Sequence, residues 1–335
     1  MEKLEQKISC SKELPLHPVF NPEKMKKQNS IGHSVMLIVN IFFGINMSIS
    51  KDLLGGVISP MGLNAMRFLF GTVIFWLCSS FISEKVSKKD LGILFLGSIL
   101  GLLCNQILFI QGLSKTSPID ASIISTSLPI VTMIFAALII REPITWVKAL
   151  GVLIGASGAA FLVYSAEQEV TGASSLVGDL LCFGSSISFA LFLVVTKGVS
   201  QKYNPITTMK WMFLFAALIF LPFSFTNISS VHFSELSQKN WLSLSFVLVC
   251  ATFIPYLLIP IGQKFLRPTT VAMYNYIQPV VATLLAVYVG QDNFTFTKGI
   301  AAALVFTGVF VVTRSKSRAD LELEKQKIAS KQTLI

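Results

Sequence analysis

Charged residues are scarce in this 335-residue chain, at 13% of the sequence. A soluble protein carries about 25%, because its surface must be solvated. Hydrophobic residues make up 53%, and mean hydropathy is +0.69. These figures exclude a soluble globule, a disordered chain and a disulfide scaffold. We therefore predict an all-α integral membrane protein that crosses the bilayer several times.

Metal-binding and nucleotide-binding motifs are also missing. The sequence has only three His and contains no HExxH, no Walker A and no CxxC pair. The five cysteines lie far apart, four of them in apolar runs, which is typical of packing residues. We expect no metal and no cofactor. The cysteines are Cys10, Cys78, Cys104, Cys182 and Cys250.

One short motif could suggest an enzyme. Residues 155–158 match the GxSG pattern of rhomboid intramembrane proteases. A nucleophilic Ser157 would need an intramembrane histidine as its base. The downstream His232 lies in a predicted loop, and small residues in a helix indicate close packing. We expect that the protein is not an enzyme.

Ten apolar runs of the length that crosses a hydrocarbon core follow a polar N-terminal tail, residues 1–30. The tail lacks the apolar region and small-residue site of a cleaved signal. A charged tail, 315–335, ends the chain. The predicted spans are 31–50, 60–82, 91–113, 118–140, 145–165, 176–197, 205–225, 240–262, 268–289 and 296–314.

The basic residues in the tails, in the loops and near the ends of these spans indicate the orientation. If the N-terminus is cytoplasmic, twenty-one Lys and Arg lie on the cytoplasmic side and four on the other side. Cytoplasmic loops carry the excess of basic residues in membrane proteins. We expect both termini in the cytoplasm. The net charge of +10 therefore reports topology, and we expect no nucleic-acid partner.

The two halves of the chain, 31–165 and 176–314, resemble each other. Each holds five predicted spans, and an odd number makes the second half enter the bilayer from the opposite side. We therefore predict two inverted five-helix repeats, the build of many secondary transporters. A shift of 150 places Gly112 on Gly262, Pro118 on Pro268, Pro129 on Pro279, Glu142 on Asp292, Thr145 on Thr295, Lys148 on Lys298 and Gly158 on Gly308; a shift of 146 places Gly32 on Gly178, Phe43 on Phe189 and Lys51 on Lys197.

Several short motifs, in order, resemble the EamA-type members of the drug/metabolite transporter superfamily. The resemblance covers 31–314 and implies ten helices that export, or sometimes import, small metabolites. Phe43 stands where the family usually has Trp, and Asp292 where it usually has Glu. The motifs are Phe43-Gly44 to Lys51, Pro60 to Arg67, Ser117-Pro118, Pro129, Glu142 to Thr145 and Gly151, and the second half repeats Pro268, Pro279 and Asp292.

Two repeat-matched prolines, Pro129 and Pro279, lie near the middle of predicted spans four and nine. A proline removes a backbone donor and clashes with the preceding turn, so each is either a packing kink or a hinge. In lipid the freed carbonyl needs a partner, which favours protein-lined or water-filled positions. Because the pair is matched between the halves, we expect hinges.

Polar side chains cluster at the same depth in spans three, four, eight and nine. Buried amides in a membrane either hold helices together or line a cavity. Asn275 and Gln278 are three residues apart and share a helix face. We expect the cluster to bind substrate; its members are Asn105, Gln106, Ser125, Tyr256, Tyr274, Asn275 and Gln278.

Arg67 lies about 10 Å into predicted span two, and Lys210 lies similarly in span seven. Such residues are costly unless they snorkel or face a polar interior. We expect snorkelling, with a substrate carboxylate as the alternative partner. No carboxylate lies clearly at midplane, which disfavours a proton relay and a strongly cationic substrate.

These observations favour a secondary transporter that moves a small neutral or zwitterionic metabolite, such as an amino acid, by alternating access. Export and the bacterial inner membrane are the expected direction and location. The alternative is a non-transporting sensor, scaffold or regulatory subunit built on the same repeat. The expected partners are the substrate and the lipid bilayer, and a homodimer is compatible with the sequence.

Overall fold

The computed structural model describes residues 22–54, 56–116, 121, 124–166, 175–229, 236–288 and 295–315. These residues form helices and turns, without a β-strand among them. Seven of the described helices are long and apolar enough to cross a membrane. The prediction of an all-α membrane protein is therefore confirmed. The seven segments are Gln28–Leu54, Pro60–Ser79, Lys88–Lys115, Leu176–Val195, Pro205–Ser224, Gln238–Phe265 and Phe296–Thr313.

The described helices are numbered along the chain. In the first half they are α1 (Pro22–Leu54), α2 (Pro60–Ser79), α3 (Lys88–Ser98), a π-helical segment (Ile99–Cys104), α4 (Asn105–Lys115), α5 (Leu128–Ile140) and α6 (Trp146–Ala166). In the second half they are α7 (Leu176–Val195), α8 (Lys197–Lys202), α9 (Pro205–Ser229), α10 (Gln238–Leu248), a second π-helical segment (Val249–Phe253), α11 (Ile254–Phe265), α12 (Pro268–Met273), a 3-10 turn (Tyr274–Tyr276), α13 (Ile277–Tyr288) and α14 (Phe296–Thr313).

Local sequence signals explain where several helices begin. Helix α2 starts with Pro60, whose missing N–H costs nothing at a first helical position, and the Ser59 hydroxyl accepts from Gly62 N. Ser87 and Ser237, which are 150 residues apart, cap α3 and α10 by accepting a backbone N–H three residues later, each at 3.2 Å. Similar caps therefore begin the third predicted span of each half.

The ninth predicted span is divided into separate helical segments. Helix α12 ends at Met273, a 3-10 turn covers Tyr274–Tyr276, and α13 begins at Ile277. In the fourth predicted span, 118–140, a turn at Thr126 and Ser127 precedes α5, and residues 117–120, 122 and 123 lie outside the described part. The interruptions precede Pro129 and Pro279.

The most extensive contacts between the described helices join one half of the chain to the other. Helix α6 packs against α14, α2 against α9, α4 against α7, and α11 against α1. Helices α5 and α13 then pack against α7 and α1 respectively. The helices that carry most of the predicted binding residues thus pack against α1 or α7.

Glycines allow the close crossing of α4 and α7. A Cβ on Gly112 would lie 2.8 Å from the Gly178 carbonyl oxygen, and one on Gly178 would lie 3.1 Å from that of Gly112. At the crossing of α1 and α11, a Cβ on Gly262 would lie 2.8 Å from Met36 Cγ, and one on Gly32 would lie 2.8 Å from Leu266 Cγ. The glycines that the repeat matched thus lie at corresponding helix crossings.

Candidate functional site

The two π-helical segments occupy matching positions in the chain. Ile99–Cys104 and Val249–Phe253 begin 150 residues apart, and each interrupts the third predicted span of its half. A π-helical turn inserts extra backbone into a helix and is frequent at functional sites. The segments lead directly into the polar residues Asn105 and Gln106 in one half and into Tyr256 in the other.

A cavity opens where these segments face α1, α7 and the turn before α13. It holds about 620 Å³ of empty space, counting the part that is open to the outside. Six of the seven predicted binding residues line it: Asn105, Gln106, Ser125, Tyr256, Asn275 and Gln278. The other described lining residues are Phe43, Asn46, Met47, Arg67, Phe109, Leu128, Ser185, Ser186 and Phe189.

Tyr274, the seventh predicted binding residue, is absent from the described lining. Its hydroxyl lies 2.7 Å from His33 Nδ1 on α1, and its side chain is buried. This hydrogen bond connects the 3-10 turn to α1, next to the cavity residue Asn275.

Hydrogen bonds fix the amides on the α4 side of the cavity. Gln106 Nε2 donates to the Tyr256 hydroxyl, which donates to the Gly101 carbonyl at 3.3 Å. Asn105 Nδ2 donates to Ser185 Oγ on α7 at 2.8 Å. These side chains thus connect the two halves while they line the cavity.

The residues on the α13 side differ in their hydrogen bonding. Gln278 is buried and donates from Nε2 to Asn40 Oδ1 at 2.8 Å, which joins α13 to α1. Asn275 is partly exposed, and its side chain makes no hydrogen bond within the described part of the chain. The Ser125 hydroxyl donates to the Ala121 carbonyl at 2.8 Å. Asn275 therefore offers both donors and its acceptor to a ligand.

Arg67 is a cavity residue, which corrects the expectation that it snorkels. Its side chain is 3% exposed and points into the protein. Nη1 donates to Gln106 Oε1 at 2.6 Å, Nε to Thr252 Oγ1 at 2.8 Å, and Nη2 to the Ala251 carbonyl at 3.0 Å. Ala251 and Thr252 belong to the second π-helical segment, which therefore provides two of the three acceptors, one backbone carbonyl and one side-chain hydroxyl.

Lys210 lies away from the described cavity lining. Its ammonium stacks over the Trp76 ring at 5.3 Å and the Trp211 ring at 6.0 Å, and it is partly exposed. Such cation–π contacts stabilise a cation at a membrane surface. Arg67 and Lys210 therefore lie in different environments, although both lie within predicted spans.

Both predicted hinge prolines lie in the first turn of a helix. Pro129 is the second residue of α5, and Pro279 is the third residue of α13. The missing N–H costs nothing there, because a helix leaves its first donors unpaired. The spans are therefore interrupted before the prolines instead of being kinked at them. A Cβ on Gly44 would lie 2.9 Å from the Gln278 carbonyl, so α1 passes close to this interruption.

Glu142, one of the motif residues, forms a buried ion pair near the end of α5. Its Oε1 lies 2.7 Å from Lys148 Nζ, and Thr269 on α12 donates to its Oε2 at 3.3 Å. The ion pair lies within the first half, and the hydrogen bond from Thr269 joins it to the second half. The matched Asp292 lies outside the described residues.

Two matched lysines hold the ends of α4 and α11. Lys51 Nζ donates to the Leu113 and Thr116 carbonyls at 2.6 and 2.9 Å. Lys197 Nζ donates to the Gln263 carbonyl and, at 2.7 Å, to that of Leu266. Helices leave their last carbonyls unpaired, and a cation there is favourable.

Lys197 is partly buried, and its contacts with the carbonyls at the end of α11 offset part of the cost of desolvating its ammonium.

Ser157 takes no part in this site. Its side chain is exposed, and its hydroxyl donates to the Ile154 carbonyl at 2.9 Å. The neighbouring Gly158 packs against α14, where a Cβ would lie 2.8 Å from Val305 N. His232 lies outside the described residues. The small residues of this motif thus serve helix packing.

Several cavity residues were not among the predicted binding residues. Asn46 on α1 and Ser185 and Ser186 on α7 are the polar ones. The repeat offered a signal for this surface, because the matched Phe43 and Phe189 both line the cavity. The match by itself does not distinguish a binding residue from a packing residue.

Helices suited to a membrane, with a polar cavity lined by both halves, are typical of membrane transport proteins. The sequence matches the family model of the EamA-like transporters over residues 30–164 and 176–314. The chain belongs to this family, which is part of the drug/metabolite transporter superfamily. The resemblance that the motifs indicated is confirmed.

Curated relatives carry transporter names and are distant in sequence. The uncharacterized transporter YetK of Bacillus subtilis is 25% identical over 77% of this chain and 79% of its own length. The uncharacterized transporter YyaM of the same organism is 24% identical over 83% of this chain and 92% of its own length. One solved protein crystal structure aligns with 86% of this chain and 98% of its own, with a TM-score of 0.68 and 18% identity, which shows a shared fold.

Proposed function

We propose that this protein is a secondary transporter that exports a small neutral or zwitterionic metabolite, such as an amino acid, by alternating access. The observation that carries the proposal is the polar cavity, because residues of both halves line it. Substrate sites at the interface of two repeats are typical of secondary transporters. The proposed location is the bacterial inner membrane, with both termini in the cytoplasm.

The proposed architecture is ten spans in two inverted five-helix repeats. Matched features support it: the π-helical segments, the lysines at the ends of α4 and α11, and the glycines at the crossings of α1 with α11 and α4 with α7. Each feature recurs after 146 or 150 residues. Helices α5 and α6 and the divided ninth span would supply the three spans beyond the seven long apolar segments.

The proposed binding site comprises Asn105, Gln106, Ser125, Tyr256, Asn275 and Gln278, with Tyr274 supporting the turn beside it. The amides would bind polar groups of the substrate, and Phe43, Phe109 and Phe189 would contact its apolar part. The interruptions that precede Pro129 and Pro279 would act as hinges, because fewer helical hydrogen bonds must break when a divided span bends.

Transport by purified protein in proteoliposomes tests this function. A panel of radiolabelled amino acids and related metabolites would be offered, with empty liposomes as the first control. The matched protein control is a variant with an unchanged cavity, Ser157→Ala. We expect saturable transport of at least one compound by wild type and by the control variant. Folded protein that moves no compound of the panel would favour the non-transporting sensor or scaffold.

A further inference from the structure

Arg67 brings a positive charge into the cavity without a carboxylate partner among the described residues. Its three hydrogen-bond partners are a hydroxyl, an amide oxygen and a backbone carbonyl, all neutral. Within the described residues, no carboxylate lies within 4.0 Å of its guanidinium. A buried cation with neutral partners keeps most of its desolvation cost, which an anion would offset.

The rest of the described lining does not supply that anion. It consists of amides, hydroxyls, aromatic rings and aliphatic or thioether side chains, with no Asp or Glu among them. The lining thus carries one positive charge. Because Arg67 is 3% exposed, the field of its charge is weakly screened and favours an anionic group in whatever occupies the cavity.

A comparison with α9 argues against a role for this arginine in helix packing alone. Helix α9 packs against α2 and also begins with a proline, Pro205. Met212 lies seven residues after Pro205, as Arg67 lies seven residues after Pro60, and Met212 is buried. Helix α9 therefore packs against α2 with a buried apolar residue, Met212, at the seventh position after its proline.

The hydrogen bonds of Arg67 leave capacity for a ligand. A guanidinium has five N–H donors, and three of them reach the partners named above. Both terminal nitrogens keep one further donor with no partner within the described residues. These donors lie in the plane of the guanidinium, where carboxylate oxygens can accept them.

We infer that the transported substrate carries a carboxylate that binds Arg67, with an apolar portion that contacts Phe43, Phe109 and Phe189. The inference rests on the proposed transport function and specifies the substrate class of that same cavity. It includes amino acids with an apolar side chain, and it extends the proposed substrate class to other small carboxylic acids of that kind. It excludes compounds that keep the same shape but lack the carboxylate.

The first test uses wild-type protein and therefore needs no variant to fold. Binding would be measured by thermal shift and by competition for transport in proteoliposomes. The probes are L-leucine, L-phenylalanine, 4-methylpentanoate and 3-phenylpropionate, each compared with its primary amide. We expect at least one acid to bind about 10- to 100-fold more tightly than its amide, the range of a charge-assisted hydrogen bond.

The second test changes the arginine. Arg67→Gln keeps a polar side chain and removes the charge, Arg67→Lys keeps the charge without the planar guanidinium, and Lys210→Gln removes the other intramembrane cation outside the cavity lining. Gel filtration and melting temperature would verify folding. We expect acid binding to weaken about 10-fold or more in Arg67→Gln, less in Arg67→Lys, and not in Lys210→Gln.

The outcomes separate this inference from the transport function. Equal transport of acids and amides, or transport of neutral metabolites alone, would overturn the inferred binding of a substrate carboxylate to Arg67. The proposed transport function would remain. Absence of transport for every compound of the wider metabolite panel would overturn both. A folded Arg67→Gln variant with unchanged preference for acids over amides would also overturn this role of Arg67.

Discussion

Gln106 and Tyr256 are 150 residues apart, the shift that aligns the two halves, and their side chains are hydrogen-bonded to each other. Two equivalent residues of a two-fold repeat can touch only where the symmetry axis passes between them. The proposed pseudo-two-fold axis would therefore run through the cavity, at the π-helical segments. Substrate bound there would contact both halves at once, which is what a rocking movement of one half against the other requires.

The predicted orientation can be tested with reporter fusions. A fusion after Gln168 should report the outside and one after Ser330 the cytoplasm, because the basic residues place both termini inside. Alkaline phosphatase and green fluorescent protein fusions at each site give opposite readouts. The same side for both positions would contradict the ten-span topology.

We expect Pro129→Ala and Pro279→Ala to slow transport about 10-fold, or about 1.4 kcal/mol of barrier, while the folded yield changes little. Alanine restores the N–H and permits a continuous helix across the interruption, which would favour one conformation. Initial rates in proteoliposomes and gel-filtration yield measure the two effects. Wild-type rates in both variants would assign the prolines to packing alone.

Asn275→Ala and Gln278→Leu should both weaken substrate binding, by about 1 kcal/mol or more each. They should differ in stability, because Gln278 bonds to Asn40 whereas Asn275 has no such partner within the described residues. We expect Gln278→Leu to lower the melting temperature and Asn275→Ala to leave it unchanged. Thermal unfolding and binding assays, with Ser157→Ala as control, separate these effects. Unchanged binding in both folded variants would make the two residues interhelical contacts only.

Lys51→Met and Lys197→Met should destabilise the protein by similar amounts, about 1–3 kcal/mol each. Each substitution leaves carbonyls at the end of α4 or α11 without their lysine donor. Lys115→Met is the matched control, because Lys115 is exposed near the same helix end. Thermal unfolding in detergent is the measurement. A large effect in only one of the two would contradict their equivalence.

The site could be predicted in outline because it depends on polarity and depth. Six of the seven candidate binding residues line the cavity, since an amide is costly against lipid and faces the protein interior. Tyr274 is also polar and lies at the same predicted depth, but its hydroxyl is hydrogen-bonded to His33 on α1. The serines of α7 were missed, because a serine in an apolar helix carries no pattern that separates packing from binding.

The sequence by itself determined the membrane class, the helical character and the family, because these depend on composition, run length and ordered motifs. The tertiary structure alone decided where the charges lie. Arg67 and Lys210 have the same chemistry and similar depth in their predicted spans, yet one is enclosed by the second π-helical segment and the other stacks on two tryptophans. Which side of a helix meets another helix depends on packing between segments far apart in the chain, and a single segment does not encode it.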